Sequence, residues 1–393
     1  AESATRGYSG DGTGTIYIQD AQLEQGLAAS DVIETGATTA QAGLLENTPR
    51  LDYSGGASCP SLLLEPQRTN LVPHSEYMGE WDQSDADVTL SDNLSPEGLK
   101  NCYRVEGTAS GLRVGIATFA AVVGQTYTGS IWVRKVSGSD TAQLIDIDFN
   151  STQIDITTEW KRYNVTKTAD STIGRIYVYV EEIGDVIEVY GAQLEQGSYP
   201  TSYIPTYGTI QTRAGELYEN KNINNFINTA NGFSFYYEIS NFSQTDSSFS
   251  DYFSFKASDS NSPNIRCELR TDGSAGIFAT GITGWDTINL SNWTTSGETT
   301  QKLLIVITNN SQKAYLNGVE GLDSSAASIV LPTFQQLVTE NFFGQTALMK
   351  FSVNQAILFP TALSDLDAKI LTGATTYETF DEMALALNYT VYE

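Results

Sequence analysis

From Lys100 to Leu194 the chain repeats one pattern: a short run alternating aliphatic with polar or aromatic residues, then a cluster of Gly, Asn, Asp or Ser. The runs are Lys100–Glu106, Thr126–Lys135, Gln143–Phe149, Lys161–Lys167, Arg175–Val180 and Val186–Leu194. A period of two places alternate side chains on opposite faces of a strand, so each run has one face to bury and one to show. Short strands at regular spacing fold as sandwiches or barrels. A second train follows at Phe233–Ile239, Asp251–Lys256, Ile265–Arg270, Leu303–Thr308, Lys313–Leu316 and Lys350–Phe359. Leu303–Thr308 is apolar on both faces and reads as a central strand, while Asn317–Gly318 reads as a hairpin turn. Helix is expected only late, at "LSDLDAKILTG", between Ser364 as N-cap and Gly373 as stop, and at "TFDEMALALN". The expected fold class is all-β: two consecutive jelly-roll sandwiches with short terminal helices.

The hexapeptide "AQLEQG" occurs at Ala21–Gly26 and again at Ala192–Gly197, and a constant offset of 171 residues carries the alignment on to Thr35 and Thr206. The second copy closes a long β-rich stretch. The first closes almost nothing, and a lone strand cannot bury a face. Residues 1–66 therefore read as an N-terminal strand and irregular connector, the remnant of a preceding module or a segment that docks on another chain. Residues 67–206 read as the first sandwich, 207–221 as a linker, 222–373 as the second sandwich and 374–393 as a helical tail. In the complete copy, Leu194 is expected in the core, with Gln193 and Gln196 satisfying nearby backbone groups and Gly197 permitting the exit turn.

The formal charge is −26, from 21 basic and 47 acidic residues, which argues against nucleic acid or anionic membranes as partners. No apolar run reaches the roughly 18 residues of a membrane helix. Three scattered cysteines, Cys59, Cys102 and Cys267, give neither a disulfide framework nor a zinc motif, and read as free thiols. His74 is the single histidine, and no nucleophile elbow or phosphate loop is present. No reaction, cofactor or metal is expected. Asp272 in "RTDGS" lacks the dense acidic spacing of a calcium loop.

Parity within the strands supplies the candidate site. Ile131, Val133, Ile145, Ile147, Ile176 and Val178 must face the core, which leaves Trp132, Arg134, Asp146, Asp148, Tyr177 and Tyr179 on outer positions. Flat rings stack under pyranose rings, and planar polar groups bridge sugar hydroxyls. These six are expected to share one sheet face as a carbohydrate site. Trp285 and Trp293, in "TGWDTINLSNWTTSG", are the loop candidates of the second sandwich, and Trp160 is assigned to packing.

Three stretches resemble known families. "PRLDYSGGASCPSLLLEPQRTNLVPHSEYMGEW" resembles a segment of bacteriophage tail and fibre proteins. "YGAQLEQGSYPTSYIPT" resembles the closing segment of phage-borne carbohydrate-binding-module-like jelly rolls, and Gly232–Thr372 resembles laminin-G or concanavalin-A-like sandwiches. The resemblance implies a virion appendage such as a tail fibre, made in the host cytoplasm. It would form a homo-oligomer, with a trimer favoured, among other virion proteins and bind host-surface glycans. Two rival readings are a component of a polysaccharide depolymerase and a purely structural capsid or neck decoration.

Overall fold

The computed structural model describes residues 21–23, 33, 49–53, 60–109, 113–115, 119–145, 151–174, 176–216, 218–227, 229–230, 232–244, 250–258, 262–270, 275–290, 293, 300–321, 328–339, 349–373 and 379–387. Among the described residues the fold is all-β with two short α-helices, and every strand pairing is antiparallel.

Two five-stranded sheets face each other in the first sandwich. One runs Lys161–Thr168, Thr126–Ser137, Val186–Gln196, Tyr103–Gly107, Ala86–Leu90. The other runs Ser151–Asp155, Thr141–Ile145, Tyr177–Val180, Arg113–Gly115, Asp82–Ser84. Their aliphatic faces meet in one core that includes Ile131, Val133, Leu144, Val178, Ile187 and Leu194. Ile176 and Val178 face inward as alternation requires, Ile145 occupies a register position opposite Tyr177, and Ile147 lies outside the described residues.

Seven- and six-stranded sheets form the second sandwich. Gln301–Ile307 is buried along its whole length between Phe233–Gln244 and Gln312–Leu316. The reason is a third layer. Leu303, Ile305 and Ile307 face the sandwich core, while Leu304 and Val306 lie beneath the helices, packed with Leu363, Leu371 and Met383. The helices span Asp365–Thr372 and Phe380–Ala386. Ser364 Oγ accepts from the Asp367 N–H at 3.1 Å, and Thr379 Oγ1 accepts from Glu382 N–H at 3.2 Å, each satisfying a donor the helix leaves open. Asn317 and Gly318 hold φ of 50° and 82°, the left-handed pair of a two-residue hairpin.

The segments read as connector and linker carry strands. Ser61–Leu64 pairs with Met349–Phe359 and so belongs to the seven-stranded sheet of the second sandwich. Arg68–Asn70 pairs with Gln211–Arg213, and Glu219–Asn220 pairs with Gln336–Val338. Strands of two to four residues carry too little alternation to show which sheet they join.

Glu65, between the first two of these strands, is fully buried at the junction. Its carboxylate meets Arg50 at 2.5 Å, Arg213 at 3.1 Å and Lys350 at 3.4 Å, and accepts the Ser202 N–H at 3.0 Å. Arg50 also meets Glu216 at 2.7 Å. One carboxylate thus ties the closing tail of the first sandwich to a strand of the second.

Candidate functional site

Outer-face geometry follows from parity and from one bulge. Along Val186–Gln196, Ile187 and Val189 point inward and Glu188 and Tyr190 outward. The register shifts between Tyr190 and Gln193, where Gly191 takes φ 61°. The extra residue re-aims the strand: Ala192 and Leu194 enter the core, while Gln193 and Glu195 emerge on the outer face. A Cβ at Gly191 would lie 3.0 Å from the Trp132 ring.

Those two side chains fold the tail of the duplicated motif back over the sheet. Gln193 Oε1 accepts the Ile204 N–H at 2.7 Å. Glu195 accepts the Thr201 N–H at 2.8 Å and its hydroxyl at 3.0 Å. Gln196, by contrast, donates to the Gln125 side chain, not to backbone. Asn70, completely buried, donates to the Ala192 and Ile204 carbonyls at 3.1 and 2.8 Å and accepts from Val72 and Leu194 N–H at 3.1 Å each. Arg162 donates to the Thr201 carbonyl at 2.7 Å and to Ser130 Oγ at 2.8 Å.

The tail closes the outer face that Trp132 occupies. Tyr203 meets the indole edge-on at 5.5 Å, Tyr190 lies at 5.9 Å, and the Arg162 guanidinium sits 4.5 Å from the ring centroid. Trp132 is half-buried under the protein's own chain. Arg134 is also engaged: it pairs with Glu188 at 2.6 Å and lies over Trp160 at 4.8 Å. Burial raises the Glu188 pKa, but hydrogen bonds from Ser91, Asn93 and Arg134 outweigh it and leave it below the ordinary carboxylate value. Trp132→Ala is therefore expected to lower the stability of the first sandwich by about 2–3 kcal/mol in denaturant unfolding, as a packed ring does. A loss below about 0.5 kcal/mol, the usual range for exposed positions, would show that the indole is not held by the tail.

Tyr177 and Tyr179 lie on the opposite sheet, so the expected single face does not exist. Parity is as read, since Val178 and Val180 point inward, but the two sets of outer residues look away from each other. Strand order decides this, and alternation carries no strand order. Asp146 and Asp148 lie outside the described residues. Trp293 is a core residue, 9% exposed, with its indole N–H donating to the Tyr252 hydroxyl at 3.2 Å and the rings 4.7 Å apart. Trp285 is half-buried against the same core. Both loop candidates are therefore packed on the sandwich, because a large indole near a sandwich edge gains more from packing than from solvent.

What remains accessible is the outer face around Tyr179. Register aligns Gln153, Gln143, Tyr179, Arg113 and Ser84 in one row across all five strands. Gln143 Nε2 donates to Glu181 at 3.2 Å. Tyr179 is half-exposed, and Tyr177 beside it is buried. The row sets one aromatic ring among planar amides and a carboxylate. Gln143, Gln153 and Glu181 were not legible as site residues, because only cross-strand register brings them to Tyr179.

Among the described residues no three His, Cys, Asp or Glu side chains cluster, and no helix is long and apolar enough to cross a membrane. Cys102 and Cys267 are buried free thiols, and Cys59 lies outside the described residues.

No family model and no curated protein sequence matches the chain. Among solved structures, the CBM40 of Ruminococcus gnavus IT-sialidase is similar at 12% identity, covering 37% of this chain and 84% of that one, with a TM-score of 0.29. Trypanosoma rangeli sialidase is similar at 8% identity over 41% of this chain and 24% of that one, TM-score 0.29. A leech intramolecular trans-sialidase complexed with 2,7-anhydro-Neu5Ac reaches 15% identity over 38% and 24%, TM-score 0.30. The chain spans about a quarter of the length of these two sialidases. At these scores no residue, ligand or activity is carried across.

Proposed function

We propose that this chain is a structural component of a bacteriophage surface appendage, a tail fibre or similar projection, that holds host-surface glycans on the Tyr179 face of its first sandwich. The observation that carries the glycan reading is the row Gln153, Gln143, Tyr179, with Glu181 alongside. Such a row stacks one sugar ring and bridges its hydroxyls, and the surplus of acids favours neutral sugars over acidic ones. The phage reading rests on the motifs "PRLDYSGGASCPSLLLEPQRTNLV" and "AQLEQGSYPTSYIPT". Their residues Arg50, Glu65, Asn70, Gln193 and Glu195 hold the fold-back tail and the module junction, a role suited to a projection under load. A single weak sugar site gains strength when copies assemble, as in a trimer.

The first copy of the hexapeptide fits the same picture. Gln22 Oε1 accepts the Ile33 N–H at 2.5 Å, the counterpart, 171 residues earlier, of the Gln193 and Ile204 bond. Leu23, the counterpart of core residue Leu194, is fully exposed, and Ala21–Leu23 lie in no strand. The rest of the N-terminal strand expected within residues 1–66 lies outside the described residues around this motif. This copy is read as the closing element of a further jelly roll.

The glycan reading is tested by a glycan array and titration of the best hit. Tyr179→Ala together with Gln143→Ala should weaken binding about tenfold or more, the worth of one stacked ring and one amide, with melting little changed. Unchanged binding, or no glycan bound by the wild type, would favour the purely structural reading. Closure of the Trp132 face by the chain's own tail favours that alternative too.

A further inference from the structure

The seven-stranded sheet of the second sandwich leaves part of one strand edge unpaired. Met349–Phe359 pairs along one side with Phe233–Gln244. Its other side pairs with Ser61–Leu64, but only from Phe351 to Val353. Pro60 stands next in line and has no N–H to continue the ladder. Among the described residues no strand pairs with the open side of Gln355–Phe359. That run, "QAILF", carries no charge and no proline, two features by which sheet edges ordinarily refuse another strand. Alternate residues of such an edge present unpaired N–H and C=O groups, a directional template for another extended chain.

Beside this edge lies an apolar cavity of about 280 Å³. Phe235, Tyr237 and Phe253 line it, together with Leu62 from one sheet and Leu337 from the other. Ala356 lines it too, and is exposed. Register sets Ala356 opposite the core residue Tyr237 and Leu358 opposite Phe235, so both face the space between the sheets. Ile357 and Phe359 pack on the helix layer instead. A strand added along this edge would put the residue opposite Ala356 on the same inward side. Leu62, opposite Val353, and Leu64, opposite Phe351, already do this further along the edge. The cavity is nearly twice the void of about 150 Å³ that holds benzene, so it has room for a Leu, Phe or Trp side chain.

We propose that the Gln355–Phe359 edge and this cavity form a strand-addition site for an extended segment of a partner protein, uncharged or basic, with a large apolar residue opposite Ala356. Backbone pairing supplies affinity, and the cavity selects the side chain. The occupant continues the line of Ser61–Leu64, a strand that itself joins this sheet from ahead of the first sandwich in the chain. Asn354 marks where the resident strand stops. It is the extra residue in the register shift at Glu238 and Ile239, and its Oδ1 accepts from Ser61 Oγ at 2.7 Å. The excess of acids in the chain, 47 against 21 basic residues, disfavours an acidic segment. The site is separate from the Tyr179 face and does not depend on the glycan reading.

Fluorescein-labelled peptides of the form Lys-Thr-Val-Xaa-Val-Thr-Lys test this on the full chain by fluorescence polarisation. With Leu or Phe as Xaa, binding should be about tenfold tighter or more than with Gly, the worth of one apolar side chain buried in a pocket. Methylating alternate backbone nitrogens of the Phe peptide, as two separate sets, should abolish binding for one set and spare it for the other. A paired strand turns alternate N–H groups toward its neighbour and away from it. Ala356→Leu fills the cavity from an exposed position and should erase the preference for Leu or Phe over Gly, with an unchanged melting midpoint showing that the chain is folded. Sedimentation of the chain alone reads the rival occupant: a dimer that the Phe peptide does not dissolve would mean that a second copy holds the edge, and would overturn the partner site. So would no binding at millimolar peptide, equal affinity across the Xaa series, equal loss in both methylated sets, or a preference retained in folded Ala356→Leu.

Discussion

Asn70→Ala is expected to destabilise the first sandwich by about 3–4 kcal/mol, because it strips partners from several buried backbone groups at once. Asn70 is wholly buried, and its amide makes four hydrogen bonds: to the carbonyls of Ala192 and Ile204, and from the N–H groups of Val72 and Leu194. It is the stitch between the strand Arg68–Asn70, the closing strand Val186–Gln196 and the fold-back tail. Asn70→Asp keeps the two acceptor contacts but loses both donations, and should fall between alanine and wild type. Denaturant unfolding followed by tyrosine and tryptophan fluorescence reads the difference. A cost below about 1 kcal/mol for the alanine variant would mean that the tail is held by its aromatic contacts alone.

Glu65→Gln should be costlier still at the junction, about 3–5 kcal/mol, since it leaves buried cations facing a neutral amide. Arg50, Arg213 and Lys350 converge on this one carboxylate from the connector, the linker and the second sandwich. The expected signature is lost coupling: the two sandwiches, which should melt together in the wild type, would separate into two calorimetric transitions. A single transition with unchanged midpoint would show that the ion cluster does not couple the modules.

The same cluster sets a pH dependence. Burial raises the Glu65 pKa, but Arg213, Lys350 and Arg50 outweigh it, and the carboxyl sits below its ordinary value. Its contribution is therefore present above about pH 4 and is lost as pH falls through the depressed value. Burial holds Glu76, Glu195 and Glu216 above the ordinary value. Those three bind protons more readily when folded, so they favour the folded state increasingly as pH falls toward their range. Stability should rise modestly from pH 7 toward about pH 5 and then fall steeply below about pH 4. Thermal midpoints across that range check both limbs. A monotonic decline from pH 7 would contradict the raised values.

Alternation in the sequence determined which side of each strand meets the core. Ile131, Val133, Val178, Ile187 and Leu194 are buried as their positions require, because side-chain direction along a strand is set by local backbone sterics. The same locality made Asn317–Gly318, the Ser364 cap and the doubly apolar Leu303–Ile307 run legible. Which outer faces coincide was not local. Trp132 and Tyr179 each point outward, but strand order places them on opposite sides of the sandwich. Trp132 is covered by Tyr203, 71 positions away, because a bulge at Gly191 turns Gln193 and Glu195 outward to catch the returning chain. The row Gln153, Gln143, Tyr179 also joins residues from separate segments. Such contacts depend on register and chain crossing, which are settled by the packing of the whole sandwich, and a period of two contains no information about either.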